Sequence, residues 1–362
     1  MYFLGNKEEM RRRLWMKALE DMTLEELWHL FPIALQPYQK VWLTWYEQEK
    51  SLLTQCLPME HVVCIAHIGS TSFGSIQAKA IIDILVEIAP WEKRMEIAAI
   101  LKKLGYLCMS EDASRISFNK GYTPEGFAEK VFHLHLRQRN DHDELYFRDY
   151  MKEYEEHAQA YEQLKMKLAL AYPYHRDAYT EGKTAFVKHI TAIARTAYGN
   201  RYETKAYAIS LHEQTKEHVR IFFTRTQEQE VRKHMYQLPT SLQEALDIYD
   251  AQDSQTYRKT IFIANEYIGD IWCHNMADDK AVLSCCIFAK AYWGKGIGKH
   301  AVAMFLADCK KHCTLSFISA YLYADNLGSM QILEFNGFLR KQTFIKDGKP
   351  CYYYEKALHD MV

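Results

Sequence analysis

The sequence at residues 282–302 reads VLSCCIFAKAYWGKGIGKHAV, an apolar strand-like run that leads into a glycine-rich turn and then into a helical pattern. Gly294, Gly296 and Gly298 let backbone N–H groups converge on an anion, and the following helix adds the partial positive charge of its N-terminus. The same residues also fit a turn that only reverses the chain. The turn by itself does not distinguish an anion site from a structural turn.

The glycine-rich turn is neither of two common nucleotide-binding loops. A P-loop needs GxxxxGK[ST], but Gly294 to Lys299 is one residue short, and His300 stands where serine or threonine is required. The dinucleotide fingerprint GxGxxG would need a further glycine at 299 or 301. Lys295 and Lys299 instead flank the turn and add positive charge to it.

A second motif lies downstream, where residues 325–338 read DNLGSMQILEFNGF after a strand-like run. Together with WGKGIG, this spacing resembles the GxGxG and NxxSxxxxxxxGF motifs of the GNAT family of N-acetyltransferases, with the RimJ-like branch as the nearest pattern. The resemblance runs from about Lys259 to Ala357. It implies a GNAT acyl-CoA N-acyltransferase fold of the mixed α/β class, with acetyl-CoA as cofactor.

The resemblance also implies which residues hold the cofactor. They are the backbone of Ile287, Phe288 and Ala289 for the pantetheine arm, the amides of Trp293, Gly294, Lys295, Gly296, Ile297, Gly298 and Lys299 for the pyrophosphate, and Asn326 and Ser329 near the thiol. The implied chemistry is direct attack of an amine on the thioester, assisted by a base and an acid.

The catalytic acid and base follow less directly from the sequence. Many GNAT members place a tyrosine acid where this chain has Leu333, so Tyr323, or its neighbour Tyr321, is the candidate acid. Asp270 and His274 lie four residues apart on one predicted strand, share a face, and are the candidate bases. Each also fits a plain strand residue, and a site without a dedicated acid or base stays open because a coenzyme A thiolate is a fair leaving group.

The first half carries a different pattern. Residues 65–72 read IAHIGSTS and residues 79–86 read KAIIDILV, so a strand ends in Gly-Ser and the next strand carries an aspartate. This resembles the nucleotidyltransferase core, in which the Gly-Ser turn holds a triphosphate and Asp-x-Asp binds two Mg²⁺. With later blocks such as FHLH at 132–135, it resembles the GrpB family more narrowly, over about Pro32 to Ala197. A nucleotidyltransferase-like mixed-sheet domain is therefore expected.

Two features of this half argue against two-metal catalysis. Leu85 replaces the second carboxylate of Asp-x-Asp, and Glu87 lies about 13 Å from Asp83 at ~3.3 Å per strand residue. His133 and His135 share a strand face where the fold would offer a third carboxylate. With Asp83, and with His67 nearby, they could form a site for a divalent transition metal. The alternative is that the histidines are hydrogen-bonded pocket residues.

The same half is predicted to hold a ligand pocket for a nucleotide, a phosphorylated ligand or the acetyl acceptor. Its candidate residues are His67, Gly69, Ser70, Thr71, Lys79, Asp83, His133, His135, Arg148, Lys165 and Lys183. Each of the basic residues also fits a solvated surface charge.

The composition predicts a soluble, cytoplasmic protein. The 362 residues include 45 basic and 46 acidic ones, and the resulting net charge of −1 argues against a general nucleic-acid binder. Nine cysteines, with no CxxC pair, suit a reducing cytosol better than a disulfide framework. No apolar run reaches the roughly 18 residues of a membrane span, and the start lacks a secretion-signal pattern. We therefore expect neither nucleic acid nor membrane as a partner.

The pattern of the chain predicts two domains. Helical spacing ends at Gly199, and the strand-like runs AISL, RIFF and TIFIA follow, so we expect a GrpB-like domain with an N-terminal helical extension over 1–199 and a GNAT domain over 200–362. In the extension, Thr23 and Glu26 form a capping-box signature.

The leading functional hypothesis is acetyl transfer from acetyl-CoA to an amine of a small molecule or peptide. An aminoglycoside-type antibiotic-modifying enzyme, and a first half that only senses a ligand and regulates the second, are the alternatives. The acceptor and the oligomeric state stay open.

Overall fold

A computed structural model describes residues 17–235, 238–251 and 255–358. The chain forms two compact units, one built from residues up to Leu52 with Val62–Glu203, the other from Leu53–His61 with the residues from Thr204 onward. Each unit is an α/β unit around one mixed sheet, as the sequence predicts. Among the described residues, no helix combines the length and the apolar character that crossing a bilayer requires.

In the first unit the sheet order is β1-β2-β5-β4-β3, with β2 and β5 parallel and the other neighbours antiparallel. The described strands are β1 (Val62–Ile68), β2 (Ile82–Ile88), β3 (Leu107–Glu111), β4 (Arg115–Thr123) and β5 (Gly126–Gln138). The described helices are α1 (Leu24–Leu30), α2 (Val41–Cys56), α3 (Arg94–Lys103), α4 (Asp143–Glu153), α5 (Glu155–Ala171) and α6 (Arg176–Tyr198).

Local sequence signals explain several of these elements. Thr23 caps α1 with the predicted box, in which Thr23 Oγ1 accepts the Glu26 N–H at 3.2 Å and the Glu26 carboxylate accepts the Thr23 N–H at 2.8 Å. The predicted helical stretch before Gly199 is confirmed as α4, α5 and α6, which bury one aromatic-rich core. Helix α6 ends at Gly199, whose φ of 53° suits glycine.

In the second unit the sheet order is β11-β12-β10-β9-β8-β7-β6. Its described strands are β6 (Ile209–His212), β7 (Tyr257–Ile263), β8 (Glu266–Ala277), β9 (Lys280–Ile287), β10 (Phe317–Tyr323), β11 (Leu339–Lys346) and β12 (Lys349–Ala357). Its described helices are α7 (Lys216–Arg225), α8 (Gln229–Arg232), α9 (Leu242–Asp250), α10 (Ile297–His312) and α11 (Leu327–Phe335).

Helix α10 supplies the main core of this unit. Its apolar side chains, among them Val302 and Phe305, pack on one face of the sheet with Ile271 and Ile318. Cys309, on the same helix, is fully buried in this cluster and packs as a small apolar side chain. The opposite sheet face carries a smaller cluster around Phe222 of α7.

One strand predicted from the sequence is wrong. The run RIFF lies inside α7 rather than in a strand. Thr215 caps this helix, because its Oγ1 accepts the His218 N–H at 3.3 Å and His218 Nδ1 accepts the Thr215 N–H at 3.2 Å. Val219 and Phe222 are buried three residues apart, on one face of the helix. Capping and burial at helical spacing therefore override the β-propensity of the four-residue run.

Strands β9 and β10 separate along their length. They pair in parallel only from Lys280 to Val282 and from Phe317 to Ser319, although β9 continues to Ile287 and β10 to Tyr323. Since β9 stays paired with β8 up to Ile287, the gap opens on its other edge. This gap leaves backbone groups of two strand ends without a neighbouring strand.

Candidate active site

A cavity of about 1460 Å³ in the second unit begins at the gap between β9 and β10. The glycine-rich turn, the start of α10 and the start of α11 line it, together with side chains of α7 and β8. Of the predicted cofactor residues, the described lining includes Ile287, Trp293, Gly294, Gly296, Ile297, Gly298, Lys299, Asn326 and Ser329. Phe288, Ala289 and Lys295 are not among the described lining residues.

The backbone of β9 explains this difference. The N–H groups of Phe288 and Ala289 both donate to the carbonyl of Ile268, at 3.0 and 3.3 Å. Because hydrogen bonding alternates along an antiparallel ladder, the backbone groups of Cys285 and Ile287 point away from β8, toward the gap. The edge that a ligand can pair with is therefore carried by Cys285 and Ile287.

The glycine-rich turn has the geometry of an anion site. Gly294 and Gly296 have φ values of 71° and 76°, and a Cβ on either would meet no atom within 4 Å. Gly296 is the N-cap of α10, where no side chain caps the helix and no acidic residue lies in the first turn. Among the first N–H groups of α10, those of Ile297 and Gly298 therefore have no acceptor within the helix, whereas the Lys299 N–H donates to the Gly296 carbonyl at 3.1 Å.

Gly298 has a second role in the same turn. A Cβ there would lie 2.5 Å from Ile332 Cδ1, so glycine allows α10 to approach α11 closely. Asn326 caps α11, since its Oδ1 accepts the Ser329 N–H at 3.1 Å. Trp293 folds back toward β9, and its indole N–H donates to the Ile287 carbonyl at 2.7 Å. These contacts hold the turn, both helix starts and the strand end around one opening.

The candidate base Asp270 is enclosed in the protein. Its side chain is 0% exposed and accepts hydrogen bonds from Tyr267 at 2.6 Å and Gln214 at 2.7 Å, with Arg258 Nη1 at 3.5 Å. Burial raises the pKa of Asp270 to about 6, against the lowering effect of Arg258 and the two hydrogen-bond donors. Asp270 does not line the described part of the cavity, whereas Gln214 and Arg258 do.

The other two catalytic candidates differ in their access to the cavity. His274 shares the sheet face of Asp270, as predicted, and lines the cavity with its Nε2 3.2 Å from Ser284 Oγ. Burial lowers the pKa of His274, so the ring is neutral at neutral pH. On β10, Tyr321 is among the described lining residues and Tyr323 is not. Cys285 also lines the cavity, but burial raises the pKa of its thiol to about 12, which does not suit a thiolate nucleophile.

The raised pKa of Asp270 predicts a pH-dependent stability. A carboxyl whose folded pKa of about 6 exceeds its unfolded value of about 3.9 stabilises the fold fully below pH ~4, and this stabilisation is lost as the pH rises through ~6. The expected loss is about 3 kcal/mol. About 2 kcal/mol of this loss falls between pH 4.5 and 7.5, and Asp270→Asn should remove it in denaturant unfolding over that range.

The exposed Asp250→Asn is the matched control for that measurement, since Asp250 lies in the same unit and pairs with Lys216 at the surface. The control should keep the wild-type dependence on pH. An unchanged dependence in Asp270→Asn would contradict the assignment of the raised pKa to this carboxyl.

In the first unit, the Gly-Ser turn lies against the predicted aspartate. Gly69 has φ 68° and ψ −178°, and a Cβ there would lie 2.1 Å from Asp83 Oδ2. Register places Asp83 beside Ile68 on one side and His133 on the other. The carboxylate therefore lies over the turn, as the sequence pattern indicates.

The predicted metal site is not supported by the structure. Asp83 Oδ1 lies 3.4 Å from His133 Nδ1 and 3.6 Å from His135 Nε2, so the imidazoles pair with the carboxylate. The other ring nitrogen of His133 contacts the Tyr122 hydroxyl at 2.8 Å, and that of His135 contacts Arg137 at 3.2 Å. The described residues contain no group of three or more His, Cys, Asp or Glu side chains placed to hold a metal ion. The alternative interpretation, hydrogen-bonded pocket histidines, fits these contacts.

His67 and its neighbours form a buried hydrogen-bond chain. His67 Nε2 lies 3.0 Å from Thr71 Oγ1, and the Thr71 hydroxyl donates to the Ile81 carbonyl at 3.2 Å. The ring therefore donates from Nε2, and burial lowers the pKa of His67 to about 4. Ser70 hydrogen-bonds to Tyr161. These residues shape the wall beneath the Gly-Ser turn.

The positions next to Asp83 are used for packing. Leu85 is fully buried in an apolar cluster with Ile68 and Leu145, so no second carboxylate can lie there. Glu87 is also buried and accepts a hydrogen bond from His142 Nδ1 at 2.8 Å. The sequence predicts an incomplete carboxylate pair, and in the structure Leu85 is packed in the core while Glu87 is hydrogen-bonded to His142.

The structure brings three of the four predicted basic residues together. Lys79 and Lys183 place their ammonium groups over the same Tyr179 ring, 5.5 and 4.5 Å from its centre. Lys165 is 2% exposed, donates to the Gln77 carbonyl and influences the charge of Lys79. Arg148 does not join the lysines: it forms two hydrogen bonds to Asp149 at 2.6 and 2.9 Å and donates to the His67 carbonyl at 3.1 Å.

Sequence reasoning missed functional candidates that only the fold assembles. In the first unit these are Arg176, Tyr122 and Tyr179, and in the second Gln214, Arg258, Trp272, Ser284 and His234. Arg258 stacks on Trp272, with its guanidinium 4.4 Å from the ring centre. Apart from Ser284, none of these residues lies in a motif quoted from the sequence, because the fold brings them together from several different elements.

Comparison with known proteins assigns the two halves separately. A family model described as GrpB protein matches residues 32–192, and a model described as Acetyltransferase (GNAT) domain matches residues 209–339. Glutamate-rich protein GrpB of Alkalihalophilus pseudofirmus is 32% identical over 170 residues, which cover 44% of this chain and 93% of that protein.

Two further matches differ in coverage. UPF0157 protein YqkA of Bacillus subtilis is 30% identical over 180 residues, 48% of this chain and 50% of that protein, so the chain spans about half the length of this relative. The crystal structure of spermidine N-acetyltransferase from Vibrio cholerae, in complex with CoA and spermine, matches with 16% identity and a TM-score of 0.39, over 41% of this chain and 95% of that one.

Proposed function

Because this chain belongs to the GrpB family and carries a GNAT acetyltransferase domain over residues 209–339, we propose that its second unit transfers an acetyl group from acetyl-CoA to an amine. The observation that carries the proposal is the gap between β9 and β10, which opens beside the uncapped N-terminus of α10. An unpaired strand edge suits a chain of amides, and the helix start suits a pyrophosphate.

Different residues of the site would bind different parts of acetyl-CoA. The backbone of Cys285 and Ile287 would pair with the pantetheine amides, and the N–H groups of Gly296, Ile297 and Gly298 would hold the phosphates. Trp293 would keep the strand end in place through its hydrogen bond to Ile287. Bound acetyl-CoA would supply the thioester whose acetyl group passes to the amine.

His274 is the group best placed to take the proton of the attacking amine. It lines the cavity, is neutral at neutral pH because burial lowers its pKa, and contacts Ser284 at 3.2 Å. Asp270 would act as a positioning residue, since it is enclosed and holds Arg258 and Gln214 in the cavity wall. A tyrosine of β10 would protonate the leaving thiolate: either Tyr321, which lines the cavity, or Tyr323, the candidate acid from the sequence.

The charges of the cavity favour an acceptor with a single amine. Its described lining contains four cations, namely Lys233, Arg258, Lys299 and Lys346, and two carboxylates, namely Glu213 and Glu230. Both carboxylates already pair with lysines, Glu213 with Lys259 and Glu230 with Lys290. Two of the cations are paired as well, Lys233 with Asp325 and Arg258 with Asp270. A polyamine or an aminoglycoside carries several positive charges and would find no carboxylate without a lysine partner in the described lining. The aromatic rings of Phe222, Trp272 and Tyr321 instead favour an apolar or aromatic body.

Thiol release from acetyl-CoA by the intact protein tests this proposal. We expect an aromatic monoamine such as tyramine to be acetylated with a kcat/KM at least about tenfold above that of spermidine or kanamycin, because the extra ammonium groups of those two acceptors would be desolvated without a free carboxylate to bind, at a cost of ~1.4 kcal/mol or more. Calorimetric titration should show micromolar binding of acetyl-CoA.

His274→Gln separates chemistry from binding in the same assay. Its turnover should fall about 100-fold while the affinity for acetyl-CoA stays unchanged. His312→Gln, an exposed change on α10, should match the wild type. Absence of acetyl-CoA binding to the intact wild-type protein would refute the proposed function, and a preference for spermidine would refute the assignment of the acceptor class.

A further inference from the structure

A cluster of cations in the first unit has no part in acetyl transfer. Lys79 and Lys183 share the Tyr179 ring, and Lys165 lies close enough to both to influence their charge. Arg176 donates to the Tyr122 hydroxyl at 3.1 Å and faces His133 Nε2 at 3.4 Å. The four cations come from α5, α6 and the segment before β2, and they converge beside Asp83.

The charges in this cluster are not balanced by the protein. Within the described residues, none of the four cations forms an ion pair with a carboxylate. Asp83 and Glu162 lie near enough to attract them, but Asp83 is paired with His133 and His135, and Glu162 accepts the Gln77 N–H at 2.6 Å. Four basic side chains against two engaged carboxylates leave the pocket with an excess of two basic groups.

Holding these cations together costs the protein free energy. Burial, together with the nearby charge of Lys183, lowers the pKa of Lys79 and of Lys165 to about 7. Burial also lowers the pKa of Lys183 itself. Like charges in a partly desolvated pocket destabilise a fold unless an anion joins them. Such an arrangement is typical of a binding site rather than of a structural core.

We propose that Lys79, Lys165, Lys183 and Arg176 form a binding pocket for a ligand that bears at least two phosphate charges. Lysine ammonium groups bind phosphate as point charges, and the guanidinium of Arg176 adds a planar pair of donors. The Gly-Ser turn beneath Asp83 forms its floor. Because Leu85 removes the second carboxylate, the pocket binds its ligand without a pair of metal ions.

This pocket is a property of the first unit and does not depend on acetyl transfer by the second. The phosphates could belong to a nucleotide or to a free polyphosphate, since the four cations recognise the same charged groups in both. Tyr122, Tyr161 and Tyr179 surround the site and offer hydroxyl groups and ring faces to the rest of the ligand.

Calorimetric titration of the intact protein with magnesium-free pyrophosphate at pH 7.5 tests the pocket. We expect binding with net proton uptake, measured as a difference in heat between two buffers of different ionisation enthalpy, because the anion restores the charge of the lysines. Lys79→Gln and Lys183→Gln should each weaken the affinity about tenfold. Lys188→Gln, an exposed change on the same helix as Lys183, should leave it unchanged.

The unfolding temperature distinguishes a variant that has lost the binding site from one that has misfolded. Lys183→Gln should raise the unfolding temperature of the ligand-free protein, since one repelling charge is removed, while reducing the further rise caused by pyrophosphate. Asp83→Asn should increase the affinity several-fold, because it removes a like charge from the anion's surroundings. ATP that binds more tightly than pyrophosphate would identify a nucleotide as the source of the phosphates, and equal affinity a polyphosphate; either result supports the pocket.

Two outcomes would overturn the proposal. One is pyrophosphate binding that neither lysine variant weakens, which would assign it to the helix start in the second unit. The other is binding that requires Mg²⁺ and disappears in Asp83→Asn, which would make the pocket a metal–nucleotide site.

Discussion

Gly296→Glu is expected to weaken acetyl-CoA binding at least about 100-fold while leaving the protein folded. Gly296 caps α10 with φ 76°, and its Cβ position opens onto the cavity rather than onto protein atoms. A carboxylate there would lie where the phosphates are proposed to bind. Two charges about 6 Å apart at an effective dielectric constant of ~20 repel by about 3 kcal/mol, which corresponds to about 100-fold in affinity.

The fold tolerates this change for a specific reason. A glutamate at a helix N-terminus is favoured by the helix dipole, which offsets part of the roughly 1 kcal/mol that a non-glycine residue pays at positive φ. Gly348→Glu is the matched control, because Gly348 has φ 75°, equally open surroundings and a place in the β11–β12 turn. Calorimetry should show wild-type affinity for the control. Equal affinity in both variants would mean that the turn at Gly296 is only structural.

Gly69→Ala is expected to destabilise the first unit by about 4 kcal/mol. The backbone at φ 68° and ψ −178° lies in a region that is nearly restricted to glycine, at a cost of ~1–3 kcal/mol for other residues. The added Cβ would also overlap Asp83 Oδ2 at 2.1 Å, and such overpacking costs a further ~1–3 kcal/mol. Denaturant unfolding measures this loss of stability. The transition of the first unit is identified as the one whose midpoint does not shift when acetyl-CoA is added.

Gly74→Ala separates the two contributions to that loss. Gly74 also has a positive φ, 84°, but its Cβ would approach only Tyr38 Cζ, at 3.9 Å. The control should therefore cost only about 1 kcal/mol, from backbone strain alone. An equal cost in both variants would show that Asp83 can move away from the turn, and that its contact with Gly69 does not hold the pocket in shape.

The sequence predicts the parts of this protein that depend on local signals. The capping box at Thr23, the helix stop at Gly199 and the strand–turn–helix around Gly296 all appear where the patterns place them. Each depends on residues within one turn or one strand, where side-chain chemistry fixes the backbone directly. The run RIFF is the informative failure, because a cap several residues upstream determined its conformation.

Contacts between elements far apart in the sequence cannot be predicted from such local signals. His133 and His135 have the spacing of metal ligands, but the neighbouring strands supply Asp83, which pairs with both rings, and Tyr122, which contacts the other ring nitrogen of His133. Arg176 joins the lysines only because the start of α6 passes beside β5. Asp270 shows the same limit, since its enclosure by Gln214 and Arg258 follows from packing and not from spacing.

On the proposed function, the short pairing between β9 and β10 makes the stability of the second unit depend on the supply of acetyl-CoA. Only three residue pairs join the two parts of the sheet there. Acetyl-CoA bound in the gap would therefore stabilise the sheet as well as donate the acetyl group. Saturation at 100 times the dissociation constant would add about 2.7 kcal/mol of stability. When acetyl-CoA becomes scarce, the protein would therefore lose this added stability as well as turnover. Its rate of proteolysis would then rise as the concentration of acetyl-CoA falls.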